Sequence, residues 1–99
     1  MIKVNVLYGP PTDPAAFAEY YRTVPAPIAS KLPNLQTFEY GTVVGTADGS
    51  ESPYFWIASL TFPSPEAMGA AMSSPEGQAA GDDVPKFATG GVSVIMSEC

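Results

Sequence analysis

The chain has 99 residues, of which 45% are hydrophobic and only 14% are charged, and its formal net charge is −6 at pH 7. The length predicts one domain over residues 1–99, and the acidic balance excludes binding to nucleic-acid phosphates or to an anionic membrane surface. With no histidine and a single cysteine, Cys99, the sequence excludes a structural zinc site and an intrachain disulfide, and no cofactor is expected.

The first half of the chain predicts a strand, a helix and a second strand. Residues 2–8 alternate around β-branched side chains, which is typical of a strand. Asp13 is a predicted N-cap with Pro14 at the first helical position, and apolar residues then recur at helical spacing. Pro25 ends or kinks this helix, with a further turn expected at residues 28–32. The second strand is predicted over residues 35–45.

The most apolar strand candidate follows a polar loop and covers residues 54–62. Its even positions are all aromatic or aliphatic, whereas its odd positions combine Phe55 and Ile57 with Ser59 and Thr61. This alternation predicts one apolar face under helices and one semi-polar face covered by a partner.

The last third of the chain predicts a second helix that is interrupted once. Ser64 and Pro65 give the start signal, and Ser74 with Pro75 repeats it ten residues later. Gly81 is the expected stop, followed by a loop over residues 82–91 and a final strand over residues 92–96.

The predicted order is β-α-β-β-α-β, which indicates an α+β domain of the ferredoxin-like type. Its antiparallel sheet has helices on one face only. Because the chain has few charges to cover a bare second face, that face favours a homodimer. The sequence begins without a signal-peptide pattern and lacks a run of about 20 apolar residues, so a cytoplasmic location is expected.

Several motifs, in order along the chain, resemble the EthD family: YYRT at 20–23, APIA at 26–29, KLP at 31–33, SPEGQAA at 74–80 and DVPKFA at 83–88. EthD proteins are named for a role in ethyl tert-butyl ether degradation beside a haem monooxygenase system. The resemblance implies a dimeric α/β barrel, in which two sheets face each other around a lumen. Family members commonly carry a histidine at the position of Pro25, so a step that needs this histidine is unavailable here.

The polar-tipped aromatic residues have two interpretations, either core packing or lining of the lumen. On the first strand, Asn5 and Leu7 are expected to face the lumen because Ile2, Val4 and Val6 suit the helices better. The ligand-binding candidates are Asn5, Leu7, Tyr8, Tyr21, Arg22, Tyr40 and Trp56; no catalytic residue is assigned.

The charged residues also leave alternatives open. Arg22 either complements the helix dipole or binds a ligand carboxylate. Glu39 is a solvent-facing edge residue, a salt-bridge partner for Lys3, or a general base. Asp82 and Asp83 are expected to be a solvated loop pair rather than a metal site.

Three functions follow from these observations. The first is an EthD-like barrel that binds a small hydrophobic or aromatic molecule as an auxiliary in a degradation or biosynthesis pathway. The second is a cofactor-independent oxygenase, cyclase or isomerase acting on a phenolic or polycyclic substrate, although the absence of histidine argues against it. The third is a structural dimer with a filled lumen.

Overall fold

The computed structural model describes all 99 residues and contains four strands and four helices. The strands are β1 (Ile2–Tyr8), β2 (Thr37–Thr42), β3 (Trp56–Phe62) and β4 (Val92–Glu98). The helices are α1 (Pro14–Thr23), α2 (Pro25–Ala29), α3 (Pro65–Ser73) and α4 (Pro75–Phe87). The strands form one antiparallel sheet in the order β2-β3-β1-β4, which confirms the ferredoxin-like α+β prediction. None of the helices combines the length and the apolar character needed to cross a membrane.

The helix starts agree with the local sequence signals. Each helix has proline in its first turn, where the missing N–H would have no intrahelical partner. The side chains of Asp13, Ser64 and Ser74 each accept a hydrogen bond of 3.1 Å from a backbone N–H three residues on. The predicted restart of the second helix at Ser74 is therefore confirmed.

The predicted end of the last helix and the predicted bounds of two strands are wrong. Helix α4 continues through Gly81 and Pro85 to Phe87, because the buried Phe87 ring joins the core and its burial offsets the local cost of glycine and proline. The turn expected at residues 28–32 is present, with hydrogen bonds of 3.1 Å from Lys31 N to Ile28 O and from Leu32 N to Ala29 O. It continues α2, which begins at Pro25 because proline starts a new helix as readily as it ends the previous one. The strands β2 and β3 are also shorter than the predicted segments.

The sheet has two chemically different faces. We call the side under the helices the helix face; its members on the two central strands are Ile2, Val4, Val6, Tyr8, Trp56, Ala58, Leu60 and Phe62. We call the other side the open face; its members on the same strands are Lys3, Asn5, Leu7, Ile57, Ser59 and Thr61. Residues directly opposite in the antiparallel register share a face, so Glu39 on β2 and Ile95 on β4 also belong to the open face. The predicted contrast between the faces is confirmed.

Candidate functional site

A cavity of about 310 Å³ lies between the helix face and the helices. Strands β1, β3 and β4 form its floor, and α1, α2 and α4 contribute to its walls. Sixteen residues line it, of which thirteen are hydrophobic. A cavity of about 150 Å³ already accommodates benzene, so this space has the size and polarity of a binding site for a small apolar molecule.

Small residues on α4 create this space. Gly77, Ala80, Gly81 and Val84 recur at helical spacing and all line the cavity, so they share the inner side of the helix. A Cβ atom on Gly77 would lie 2.6 Å from the carbonyl oxygen of Met72, which shows that α3 and α4 approach too closely there for any larger residue. A Cβ atom on Gly81 would have no neighbour within 4 Å. Gly77 therefore allows the close approach of α4 to α3, and Gly81 leaves part of the cavity unfilled.

The cavity opens along the edge strand β4. Val92 and Val94 line it although their exposed fractions are 42% and 53%, and Met72 on α3 lines it with 39% exposed. Helix α4 packs against α2 and α3 and leaves this edge of the helix face uncovered. The entrance is therefore apolar.

Two phenols line the inner part of the cavity. Tyr8 and Tyr21 are each only 3% exposed, and their ring centroids are 5.9 Å apart in an edge-to-face arrangement. Burial raises the pKa of Tyr8 to about 12, and burial likewise raises the pKa of Tyr21 far above its usual value. Both phenols consequently stay protonated at neutral pH and act there as hydrogen-bonding groups rather than as bases.

Other aromatic rings enclose the two phenols. Phe17, Trp56 and Phe87 lie with their ring centroids 5.2–5.9 Å from that of Tyr8 or Tyr21. Trp56 is fully buried, and its Nε1 has no hydrogen-bond partner. The Arg22 guanidinium lies 5.7 Å from the centroid of the Trp56 ring, within the range of a cation–π contact. Arg22 thus borders the aromatic cluster and is absent from the cavity lining.

The expectation that Asp82 and Asp83 form a solvated loop pair is wrong for Asp83. It lies within α4 and is only 5% exposed, because the helix continues past Gly81 and carries this residue against α1. Its Oδ1 accepts a hydrogen bond of 2.9 Å from the Tyr20 hydroxyl and lies 3.6 Å from Lys86 Nζ, whereas Oδ2 has no partner. The hydrogen bond to Asp83 raises the pKa of Tyr20. Asp83 therefore ties α4 to α1.

The predicted ligand-binding residues fall on two sides of the sheet. Tyr8 and Tyr21 line the cavity, and Tyr40 and Trp56 pack against Tyr21 with tilted rings. Asn5 lies on the open face, where its amide donates to Ile95 O at 3.1 Å and to Ser97 Oγ at 3.0 Å, and Leu7 shares that face. A single cavity does not bring the seven candidates together, and ligand binding by any of them stays a prediction.

The sequence does not identify α4 as a wall of the cavity. It predicts the helix that carries Gly77 and Ala80 but places Gly81 at its stop and Val84 in the loop that follows, although the spacing of three and four residues among these four is itself a helical pattern. A stripe of small residues on one side of a helix was the signal that could have located this wall.

The open face has its own shallow depression, which includes Lys3, Glu39, Ile57 and Ser59. The salt bridge considered between Lys3 and Glu39 is absent, since the ion pair of this chain joins Lys86 to Asp83. Register places Glu39 two strands and two positions away from Lys3 on the open face. The sheet separates Glu39 from the cavity, so Glu39 cannot act as a base there.

Comparisons with known proteins agree with this architecture. The family model described as the EthD domain matches residues 9–91. The chain belongs to the EthD family. This EthD protein is 37% identical over 98 residues, 99% of its length and 94% of the relative's, to an uncharacterized 11.0 kDa protein in the thcB-thcC intergenic region of Rhodococcus erythropolis.

Solved structures show the same fold. An EthD family protein from Bacillus halodurans C-125 is 32% identical with a TM-score of 0.91, covering 100% of this chain and 98% of that one. A dimeric ferredoxin-like protein from Thermobifida fusca YX is 16% identical with a TM-score of 0.76, covering 99% and 90%. The fold also occurs in SnoaB, a cofactor-independent oxygenase from Streptomyces nogalater, at 12% identity, a TM-score of 0.66 and coverage of 99% and 90%.

Proposed function

We propose that this EthD protein binds a small hydrophobic or aromatic molecule in the cavity between the helix face and α4, as an auxiliary component of a cytoplasmic degradation or biosynthesis pathway. The observation that carries the proposal is the 310 Å³ cavity with its almost wholly apolar lining. Protein interiors are normally close-packed, and a void of this size costs stability. A ligand that fills it would recover those contacts.

The proposal includes a homodimer formed through the open face. That face combines Leu7, Ile57 and Ile95 with polar neighbours, which is the mixed character of an interface rather than of a core. The Thermobifida fusca protein, which shares the fold, is dimeric, and this supports self-association. Each protomer would then keep its own cavity, because the cavity lies on the opposite side of the sheet from the contact between subunits.

Native mass spectrometry of protein purified from its host tests the proposal. We expect a dimer mass with up to one small molecule per protomer, which denaturation releases as an uncharged apolar compound. Protein from several independent preparations that always has the mass of its polypeptide alone, and that gains no thermal stability from small apolar compounds, would contradict ligand binding.

A pair of variants locates the binding site. Gly81→Leu places a side chain in the open space of the cavity, whereas Gly69→Leu adds the same side chain to α3, where a Cβ atom also has no neighbour within 4 Å but where the residue does not line the cavity. Both variants gain helix propensity. We expect only Gly81→Leu to lose the bound molecule; equal retention in both variants would place the binding site elsewhere.

A cofactor-independent enzyme is the second candidate, and the buried Asp83 carboxylate favours it. Its Oδ2 has no hydrogen-bond partner, and its charge adds to the raised pKa of Tyr8, which lines the cavity. Because Asp83 itself does not line the cavity, a proton from a substrate would reach it through a lining group such as the Tyr8 hydroxyl. Replacement of Asp83 by asparagine keeps the shape and the bond from Tyr20 but removes the base. If Asp83→Asn loses turnover but still binds the ligand, a catalytic role of Asp83 is supported. If its turnover equals that of the wild-type protein, Asp83 has no part in catalysis.

A further inference from the structure

The cavity contains few groups that can form a hydrogen bond. Among its lining side chains, only those of Tyr8 and Tyr21 carry a hydroxyl, and the others belong to Gly, Ala, Pro, Val, Leu, Met and Phe residues. None of the lining side chains is charged. Orientation and specificity in an apolar site come from a small number of placed polar groups, so these two phenols are the only side chains available for that purpose.

The charges around the cavity disfavour an anion. The Asp83 carboxylate lies close enough to Tyr8 to influence it, and the nearest cation of α1, Arg22, lies over the Trp56 ring outside the lining. Lys86 lies beside Asp83. An anionic ligand would lose its hydration and meet a negative charge, with no cation inside the cavity to compensate.

The two phenols act as hydrogen-bond donors. The two rings pack edge to face with their centroids 5.9 Å apart, and each hydroxyl carries a proton that it can donate to a ligand. Burial keeps both groups protonated, because no cation is present to stabilise a phenolate. A protonated phenol in an apolar cavity is best satisfied by an acceptor oxygen that carries no charge.

We infer that the ligand of this cavity is an uncharged apolar molecule with a hydrogen-bond-accepting oxygen, such as a ketone, and that Tyr8 and Tyr21 hold that oxygen. The inference rests on the proposed function, since it requires that the cavity binds a small molecule. It goes further by selecting one class among apolar compounds and by excluding carboxylates.

Three probes of similar shape test whether the cavity prefers an uncharged acceptor oxygen and excludes a carboxylate. They are acetophenone, ethylbenzene and benzoate. Their dissociation constants for the full-length protein can be measured by NMR titration. One neutral hydrogen bond predicts that acetophenone binds about threefold to tenfold more tightly than ethylbenzene. Benzoate is expected not to bind at concentrations at which acetophenone saturates the protein.

Replacement of each cavity tyrosine by phenylalanine tests whether its hydroxyl causes the preference for acetophenone over ethylbenzene. In Tyr8→Phe we expect acetophenone and ethylbenzene to bind equally, with the ethylbenzene affinity unchanged, and in Tyr21→Phe the preference is expected to fall. Tyr40→Phe is the matched control, because Tyr40 packs against Tyr21 and stacks on Trp56 but does not line the cavity. Thermal denaturation checks that each variant is folded.

The outcomes distinguish this inference from the proposed function. If ethylbenzene binds as tightly as acetophenone, if the Tyr8→Phe, Tyr21→Phe double variant keeps the preference, or if benzoate binds best, then the inference is wrong while the binding cavity stands. If none of the three probes binds to the wild-type protein, the proposed function fails together with the inference.

Discussion

The two faces of the sheet differ in burial, polarity and charge. On β3, Trp56 and Leu60 point to the helix face and are buried, whereas Ile57 and Ser59, one residue away from them, point to the open face and are partly exposed. The helix face is apolar and incompletely filled; the open face is mixed and charged. A period of two residues thus separates the proposed ligand cavity from the proposed surface of association.

Truncation of matched side chains on β3 gives the largest expected effect. Leu60→Ala should lower the free energy of unfolding by about 2–5 kcal/mol, because it leaves a void in the core. Ile57→Ala should lower the free energy of unfolding of the protomer much less than Leu60→Ala does, and it should instead weaken self-association. Chemical denaturation at several protein concentrations, combined with analytical ultracentrifugation, separates the two effects. Equal losses of stability with no change in self-association would remove the distinction between the faces.

The buried phenols predict a loss of stability at alkaline pH. Tyr8 ionises at about pH 10 in the unfolded chain but at about pH 12 in the fold, so its contribution is complete below pH 10 and is lost as the pH rises through 12. At pH 12 the loss is on the order of 2 kcal/mol. Urea denaturation between pH 8 and 12 should show a steeper decline for the wild-type protein than for Tyr8→Phe. Parallel pH profiles would mean that Tyr8 is not buried.

Two glycines on the inner side of α4 predict opposite, smaller effects. Gly77→Ala should destabilise the protein by about 1–3 kcal/mol, since its Cβ atom would collide with the last carbonyl groups of α3. Gly81→Ala should stabilise it by about 0.5–1 kcal/mol through helix propensity, because nothing lies within 4 Å of its Cβ atom. Thermal denaturation compares the variants. Stabilisation by both would show that α3 and α4 do not pack as described.

Local patterns predicted the elements and the two faces of the sheet. The alternation from Trp56 to Phe62 and the repeated start signal at Ser74 need only neighbouring residues, and both are confirmed. The motifs also indicated the EthD family, which the family match over residues 9–91 confirms. These signals are local because strand alternation and helix capping are themselves local effects.

The cavity could not be predicted in the same way. Its volume depends on the distance of α4 from the sheet, which Gly77 sets through contact with α3 and which the bond between Tyr20 and Asp83 sets across 63 residues of sequence. By itself, Gly81 favours the end of a helix. The residues around it nevertheless continue the helix to Phe87. The lumen prediction also placed Asn5 beside Tyr8, although consecutive odd and even positions of a strand face opposite sides.

Chemical-shift mapping with ethylbenzene tests the location of the site most directly. With the backbone amides assigned, the account predicts that the largest shifts occur at Ala80, Gly81 and Val94, around the cavity on the helix side of the sheet. Saturating changes at these residues, with Asn5 and Ser59 nearly unmoved, would support the cavity. Changes concentrated at Asn5 and Ser59 instead would place the ligand on the open face and contradict the account.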